Sequence, residues 1–373
     1  MSGNRIVTTV LGDIPSDTLG ITLAHEHCLI NMLDQFQYPP EPSRRRIADQ
    51  KVSMEILADL RRRPFSTRDN LVLDDEELII KELGRYQRYG GTSLVDATSI
   101  GLGRDPLGLQ RLSRATGLNI IMGTGIYTEP AHPAWVAERS IDELAEIMVA
   151  DITVGAENTD VRCGVIGEVG LGGIAKGGAR NVKAAPLTAD EEKALRGAAR
   201  ASLATGVCIS VHLDSVQPLA GLPALAILAE EGVAPDRIII GHLDQIHDLD
   251  YHKAIADHGV FIGYDTLGTD HYRDEFGYGH EAGHDSWRTR FAMDLIRGGY
   301  RDQLLFSQDV CMKSKLRAFG GFGYAHVLEN VVPTLRAFGA TRDDIDTILI
   351  ANPERAFGYG AGPTATDAEG EER

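Results

Sequence analysis

The sequence predicts a single-domain (β/α)8 TIM barrel, and three observations carry that prediction. Short apolar runs alternate with helix-like segments along the whole chain, and eight of the runs read as strands. The runs are continuously apolar rather than alternating, as parallel strands covered by helices are, and eight strands close such a barrel. An open doubly wound sheet is the alternative, but no G-x-G-x-x-G follows a first strand.

Residues 6–11 and 20–24 read as two short strands around the turn Gly12-Asp13-Ile14-Pro15-Ser16-Asp17, a hairpin leading into the first barrel strand. The segment from about residue 31 to 70, rich in Arg, Pro and Asp, reads as a loop with helical pieces beside the end of that strand. The acidic stretch 75–83 reads as a helix that reaches its stop at Gly90-Gly91, before the strand Ser93-Leu94-Val95-Asp96-Ala97. Helices at 106–115, 140–152, 188–205, 219–231, 251–258 and 293–299 then precede strands at 119–123, 162–168, 207–212, 237–242, 260–264 and 303–309. Residues 324–357 read as two helices, starting near Gly323 and near Arg342, with Asn352-Pro353 as a stop. The barrel domain is thus expected over 1–359, and 360–373, rich in Gly, Ala and Glu, as a disordered tail.

Hydrophobic content of 43% and charged content of 24% are ordinary for a soluble globular chain. A net charge of -17 argues against a nucleic-acid surface, and the triplets Arg44-Arg45-Arg46 and Arg61-Arg62-Arg63 read as solvated helix faces. That acidity also disfavours a strongly anionic substrate unless cations are supplied locally. Cys28, Cys163, Cys208 and Cys311 lie far apart with no C-x-x-C spacing, which predicts free thiols in a reducing compartment. No signal-peptide core is evident, and no run approaches the ~20 apolar residues of a membrane span. The expectation is a cytoplasmic protein with a small-molecule substrate and neither nucleic acid nor membrane as a partner.

Barrel enzymes carry their functional residues where strands end, and that rule selects His25 and His27, Glu168, His212, His242 and Asp309. In Leu23-Ala24-His25-Glu26-His27 the two histidines are two apart and share a face of a strand. Taken singly, each residue has an ordinary reading: His212 and His242 as polar sheet ends, Glu168 as a helix cap, Asp309 as the start of a turn. Six together, all at strand ends after apolar runs, are harder to explain that way. Four imidazoles and two carboxylates without a thiolate suit Zn2+, Mn2+, Fe2+ or Co2+ better than Ca2+ or Mg2+. They exceed what one tetrahedral zinc needs, whereas two metals sharing one carboxylate use all of them. The competing class is a non-catalytic barrel that binds a small ligand. His247, His252, His258 and His271 read as surface or capping residues, while His280 and His284, four apart in a Gly-rich loop, are candidate substrate contacts.

The motifs Thr22-Leu23-Ala24-His25-Glu26-His27, Gly123-Thr124-Gly125-Ile126-Tyr127, Ile240-Gly241-His242-Leu243-Asp244, Ser307-Gln308-Asp309 and Gly320-Gly321-Phe322-Gly323-Tyr324 cover nearly the whole chain. In their order and spacing the sequence resembles the phosphotriesterase-related branch of the amidohydrolase superfamily. The resemblance implies a homodimer and two divalent metals, zinc first among them. It places His25, His27 and Asp309 on one metal, His212 and His242 on the other, and Glu168 between them with a hydroxide. Many members carry a carbamylated lysine at the bridge; here Ile166-Gly167-Glu168-Val169-Gly170 supplies a glutamate, and Lys176 and Lys183 lie too far along to replace it. The Glu bridge with Tyr264-Asp265-Thr266 resembles the phosphotriesterase-homology proteins more than the efficient organophosphate hydrolases, which carry a His where this chain has Thr266.

On that basis the hydroxide attacks and Asp309 carries its proton to the leaving group. Tyr127 matches a tyrosine that lies against substrate in lactonase relatives, or else merely packs at the rim. Trp135, Trp287, Tyr264 and Phe322 are candidate pocket walls. The leading expectation is hydrolysis of a lactone or other carboxylic ester. The alternative is an N-acyl amide cleaved at the same site, with phosphotriesters as slow promiscuous substrates.

Overall fold

The computed structural model describes residues 5–39, 41–172, 187–214, 218–269 and 284–360. Its centre is a parallel sheet of eight strands: β1 (Thr22–Glu26), β2 (Ser93–Asp96), β3 (Asn119–Thr124), β4 (Val165–Leu171), β5 (Ile209–Leu213), β6 (Ile238–Ile240), β7 (Phe261–Tyr264) and β8 (Leu304–Phe306). Each strand pairs with its neighbour in chain order, which leaves β1 and β8 as the two ends of the ladder. Helices α1 (Glu76–Arg88), α2 (Pro106–Thr116), α3 (Ile141–Thr153), α4 (Ala189–Thr205), α5 (Gly221–Glu230), α6 (Leu249–Ala256) and α7 (Asp285–Arg297) follow the first seven strands. The predicted barrel is therefore the observed one.

Local chemistry explains the helix ends. Ser140 with Glu143 and Thr188 with Glu191 form reciprocal caps at the starts of α3 and α4, satisfying backbone N–H groups that have no partner inside the helix. Asp105 caps α2, whose first residue, Pro106, needs no N–H partner there.

The barrel interior is filled by one side chain from each of seven strands, Ala24, Val95, Ile121, Val165, Ile239, Phe261 and Leu305, and by Cys208 just before β5, in a single buried cluster. Val7 and Leu19 from the N-terminal segment and Phe357 from the last helix join it and plug the end opposite the site. Removal of this apolar surface from water, at about 25 cal/mol per Å², is what the continuous apolar runs encode.

Four details differ from the sequence expectation. The hairpin pairs Arg5–Thr9 with Gly12–Pro15, so residues read as a turn form its second strand, and Tyr359–Gly360 adds a third. Gly360 is therefore paired with Arg5 rather than part of a tail, while 361–373 lie outside the described residues. The last helix does not stop at Asn352-Pro353: a wide turn over Thr347–Ala351 hands on to Asn352–Phe357, and the proline sits in the first turn of that piece, where its missing N–H costs nothing. Helix α7 also begins earlier than residue 293, at Asp285, and its Arg288 is 1% exposed. Among the described residues no helix is long and apolar enough to cross a membrane. The four cysteines are free and buried.

Candidate metal centre

The site forms where strands end, and two irregularities aim its ligands. Between Leu23 paired with Leu94 and Glu26 paired with Asp96, β1 takes three steps against two in β2. The same count recurs in β4, where Ile166 pairs with Ile209 and Val169 with Val211. One extra residue rotates the strand beyond it. Val165 fills the barrel interior, and its partner three residues on, Glu168, would face outward from a regular strand; the bulge turns it in. Gly167 makes this possible: its φ is 155°, and a Cβ would lie 2.6 Å from the Ser210 carbonyl oxygen. His242 and Asp309, just past β6 and β8, adopt left-handed backbone angles of 58° and 51° that are uncommon outside glycine.

These turns bring all six predicted residues together. The Glu168 carboxylate is central: Oε2 lies 2.6 Å from His212 Nδ1, 3.4 Å from His25 Nε2 and 3.8 Å from His242 Nε2, and Oε1 lies 3.5 Å from His27 Nε2. Asp309 Oδ1 stands 3.3 Å from His27 Nε2. Two groups can each hold a cation, His25, His27 and Glu168 on one side and Glu168, His212 and His242 on the other, with Glu168 common to both.

Neighbouring groups fix which ring nitrogen His27 and His242 present. Thr98 Oγ1 is 2.9 Å from His27 Nδ1, leaving Nε2 for the site. Asp265 Oδ1 accepts from both the backbone N–H and Nδ1 of His242, each at 2.8 Å. A carboxylate behind a ligating imidazole is the usual way of setting its tautomer and orientation. Lys315 Nζ donates to Asp309 Oδ2 at 2.9 Å, which commits one oxygen to the lysine and leaves Oδ1 facing His27. Tyr127, 8% exposed, places its hydroxyl 3.3 Å from His212 Nε2.

The electrostatics favour cations. Burial would push the Glu168 carboxyl up, but His212 and His25 beside it outweigh that and hold it well below its usual range. Burial opposes ionisation of Asp309 too, and the Lys315 ammonium outweighs it. Burial raises the Tyr127 phenol, so it stays protonated. Both ring nitrogens of His25 are shielded from solvent without a hydrogen bond, an expensive state for a polar group that coordination would relieve. The donor set of imidazole and carboxylate therefore fits borderline divalent ions.

Several contributors escaped the sequence. Asp265 enters the sequence reading only as part of the Tyr264-Asp265-Thr266 motif, with no role behind His242, and Thr98 and Lys315 do not enter it; their placement behind ligands reveals them. His252 was expected at the surface or a cap; instead it is buried, with Nδ1 2.6 Å from the Tyr264 hydroxyl. Burial pushes its pKa down to about 4. A histidine harder to protonate when folded stabilises the fold above the unfolded value of 6.5 and loses that contribution as pH falls from about 6.5 to 4. Urea unfolding at about pH 7 and pH 5 should show a loss of roughly 1–3 kcal/mol that shrinks in His252→Phe.

His258 is exposed, as expected, and His247 stacks on Phe291. Tyr264 engages His252, Trp287 lies against His247 and Phe291, and Phe322 packs on His326, none of which is a residue of the cluster. Trp135 packs against the apolar core. Lys176, Lys183, His271 and His280 lie outside the described residues, and His284 immediately precedes α7.

An eight-stranded barrel with a buried His and carboxylate cluster at its strand ends defines a metal-dependent hydrolase. The model of the phosphotriesterase family matches residues 5–357, and the chain belongs to that family of binuclear metal hydrolases. Among curated relatives, the chain is 34% identical to an N-acetyltaurine hydrolase of Bos taurus, over 94% of this chain and 97% of that one. It is 33% identical to the N-acetyltaurine hydrolase of Dictyostelium discoideum, over 94% and 96% of the two chains. Among solved structures it is similar to a resiniferatoxin-binding protein from Rhodobacter sphaeroides, with 36% identity, 95% and 96% coverage and a TM-score of 0.88. A phosphotriesterase homology protein from Escherichia coli, complexed with phosphate in its active site, follows at 28% identity, 91% and 99% coverage and a TM-score of 0.71.

Proposed function

We propose that this protein hydrolyses an N-acyl amide, in the first instance an N-acetylated small amino acid or aminosulfonate, using two divalent metal ions, zinc first among the candidates. The observation that carries the amide reading is the likeness, over nearly the full length of both chains, to proteins named N-acetyltaurine hydrolase. They support the amide alternative better than the lactone or ester that the sequence placed first. A lactonase of Listeria monocytogenes, at 24% identity, speaks for the fold alone.

His25, His27 and Asp309 would hold one ion, His212 and His242 the other, with Glu168 shared. Ions bound there supply an acidified water and an electrophile for the carbonyl oxygen. The chain's own groups do the rest. Asp309 Oδ1, facing the cluster while Lys315 occupies Oδ2, takes a proton from the attacking water and delivers it to the departing nitrogen. Tyr127, protonated and beside His212, donates to the oxygen on which negative charge develops. Tyr127→Phe should lower kcat by about 100-fold with KM little changed. Steady-state kinetics on the preferred amide check this.

A panel of N-acetyltaurine, other N-acetyl amino acids, lactones, an aryl ester and an aryl phosphotriester tests the substrate class. The amide reading expects the highest kcat/KM on an N-acyl substrate, and preference for a lactone would return the protein to the ester reading. Binding without turnover is the second reading, suggested by the description of the Rhodobacter relative as a binding protein. It would be favoured if metal-loaded protein bound a panel member and left it intact.

A further inference from the structure

The ladder of hydrogen bonds around the barrel is open between β8 and β1, and this seam runs through the candidate metal centre. His25 and His27 stand on one side of it and Asp309 on the other, so nothing in the regular sheet sets their separation. A backbone link crosses it, Asp309 N–H to His25 C=O at 3.3 Å. The Glu26 side chain supplies much more. Its Oε1 accepts from Ser307 Oγ at 2.6 Å, Gln308 N–H at 2.7 Å and Gln308 Nε2 at 2.7 Å, and its Oε2 accepts from Val310 N–H at 2.9 Å. These donors bracket Asp309 on both sides. Gln308 Nε2 also donates to the Tyr324 carbonyl, and the Tyr324 hydroxyl donates back to the His27 carbonyl at 2.7 Å, closing a ring of contacts across the seam.

We propose that Glu26 is the positioning residue of this site: by stitching β1 to the segment after β8, it fixes where Asp309 stands relative to His25 and His27. Two features support this. Glu26 is fully buried and touches Ser307, Gln308 and Val310 without a cation among them, so its carboxylate is satisfied by donors alone. Asp309 holds a left-handed backbone angle of 51°, uncommon outside glycine, and its two chain neighbours, Gln308 and Val310, are both held by Glu26. The inference rests on the two-ion reading of the site.

Glu26→Gln keeps the volume but must set an amide N–H₂ against a donor, whichever way the amide turns. Apoprotein titrated with Zn2+ in competition with a chromophoric chelator resolves the two binding steps without any assay of turnover. The expected result is one ion bound as in the native protein and the other weakened by about 10- to 100-fold. Gln308→Ala, which removes a single side-chain donor and leaves the carboxylate, should weaken the same ion less and keeps the test available should Glu26→Gln fail to fold. Native affinity for both ions in both variants would overturn the inference. Equal weakening of both ions, tracking a fall in apoprotein Tm, would also overturn it by reducing Glu26 to a structural role. Native protein that binds fewer than two ions would instead overturn the two-ion reading itself.

Discussion

Glu168→Ala is expected to abolish binding of both metal ions and to lower kcat/KM by at least about 1,000-fold. The expectation follows from geometry: Glu168 is the member common to both groups of ligands, with His25 and His27 approaching one side and His212 and His242 the other. Removing it also strips His212 Nδ1 of its 2.6 Å partner and leaves neighbouring imidazoles, His212 and His242 at 2.8 Å, without an intervening charge. Elemental analysis of the purified variant is the check, with far-UV circular dichroism to show that the barrel is intact. Two ions per chain in Glu168→Ala would refute the bridging role. Glu168→Lys is a secondary variant, in which a carbamylated side chain could restore metal binding when CO2 is supplied.

Asp309→Asn is expected to lower kcat on an amide by about 100- to 10,000-fold while an aryl ester loses roughly 10-fold. The asymmetry comes from the leaving group. An amine must be protonated before it departs, whereas a phenolate leaves unaided, so loss of the proton carrier falls mainly on the amide. Asparagine retains an oxygen to face His27 but cannot carry the proton, and its amide N–H₂ can no longer accept from Lys315 at Oδ2. Parallel kinetics on both substrates measure the ratio directly. Equal losses on the two would place the proton transfer elsewhere.

Much of this arrangement was legible in the sequence, because a parallel barrel writes itself as continuous apolar runs and a metal site writes itself as His and carboxylate residues at their ends. His25, His27, Glu168, His212, His242 and Asp309 all lie where that rule put them. The bulges in β1 and β4 were not legible, since a bulge is a mismatch between two strands and neither strand alone records it. Alternation alone does not place His25 and His27 on the inner face: Ala24, adjacent to His25, also faces the interior, and the extra residue in β1 reconciles the two.

The supporting residues were hidden for a different reason. Lys315 lies six residues beyond Asp309, and a lysine in a loop reads as solvated until the fold places its ammonium on that carboxylate. Glu26 sat inside the most conspicuous motif yet carried no signal of its own, because its partners, Ser307 to Val310, come from the far end of the chain. His252 was misplaced because a polar residue in an amphipathic helix gives no indication of which neighbour covers it; Tyr264 does. Substrate choice between amide and ester is the least legible of all, since the same ligands serve both.

A two-ion centre shared through Glu168 is tested most directly by anomalous diffraction from crystals of metal-loaded protein, paired with elemental analysis of the same preparation. The predicted result is two ions per chain, one against His25, His27 and Asp309, the other against His212 and His242, with an oxygen of Glu168 on each. A single ion, or two ions neither of which touches Glu168, would contradict it.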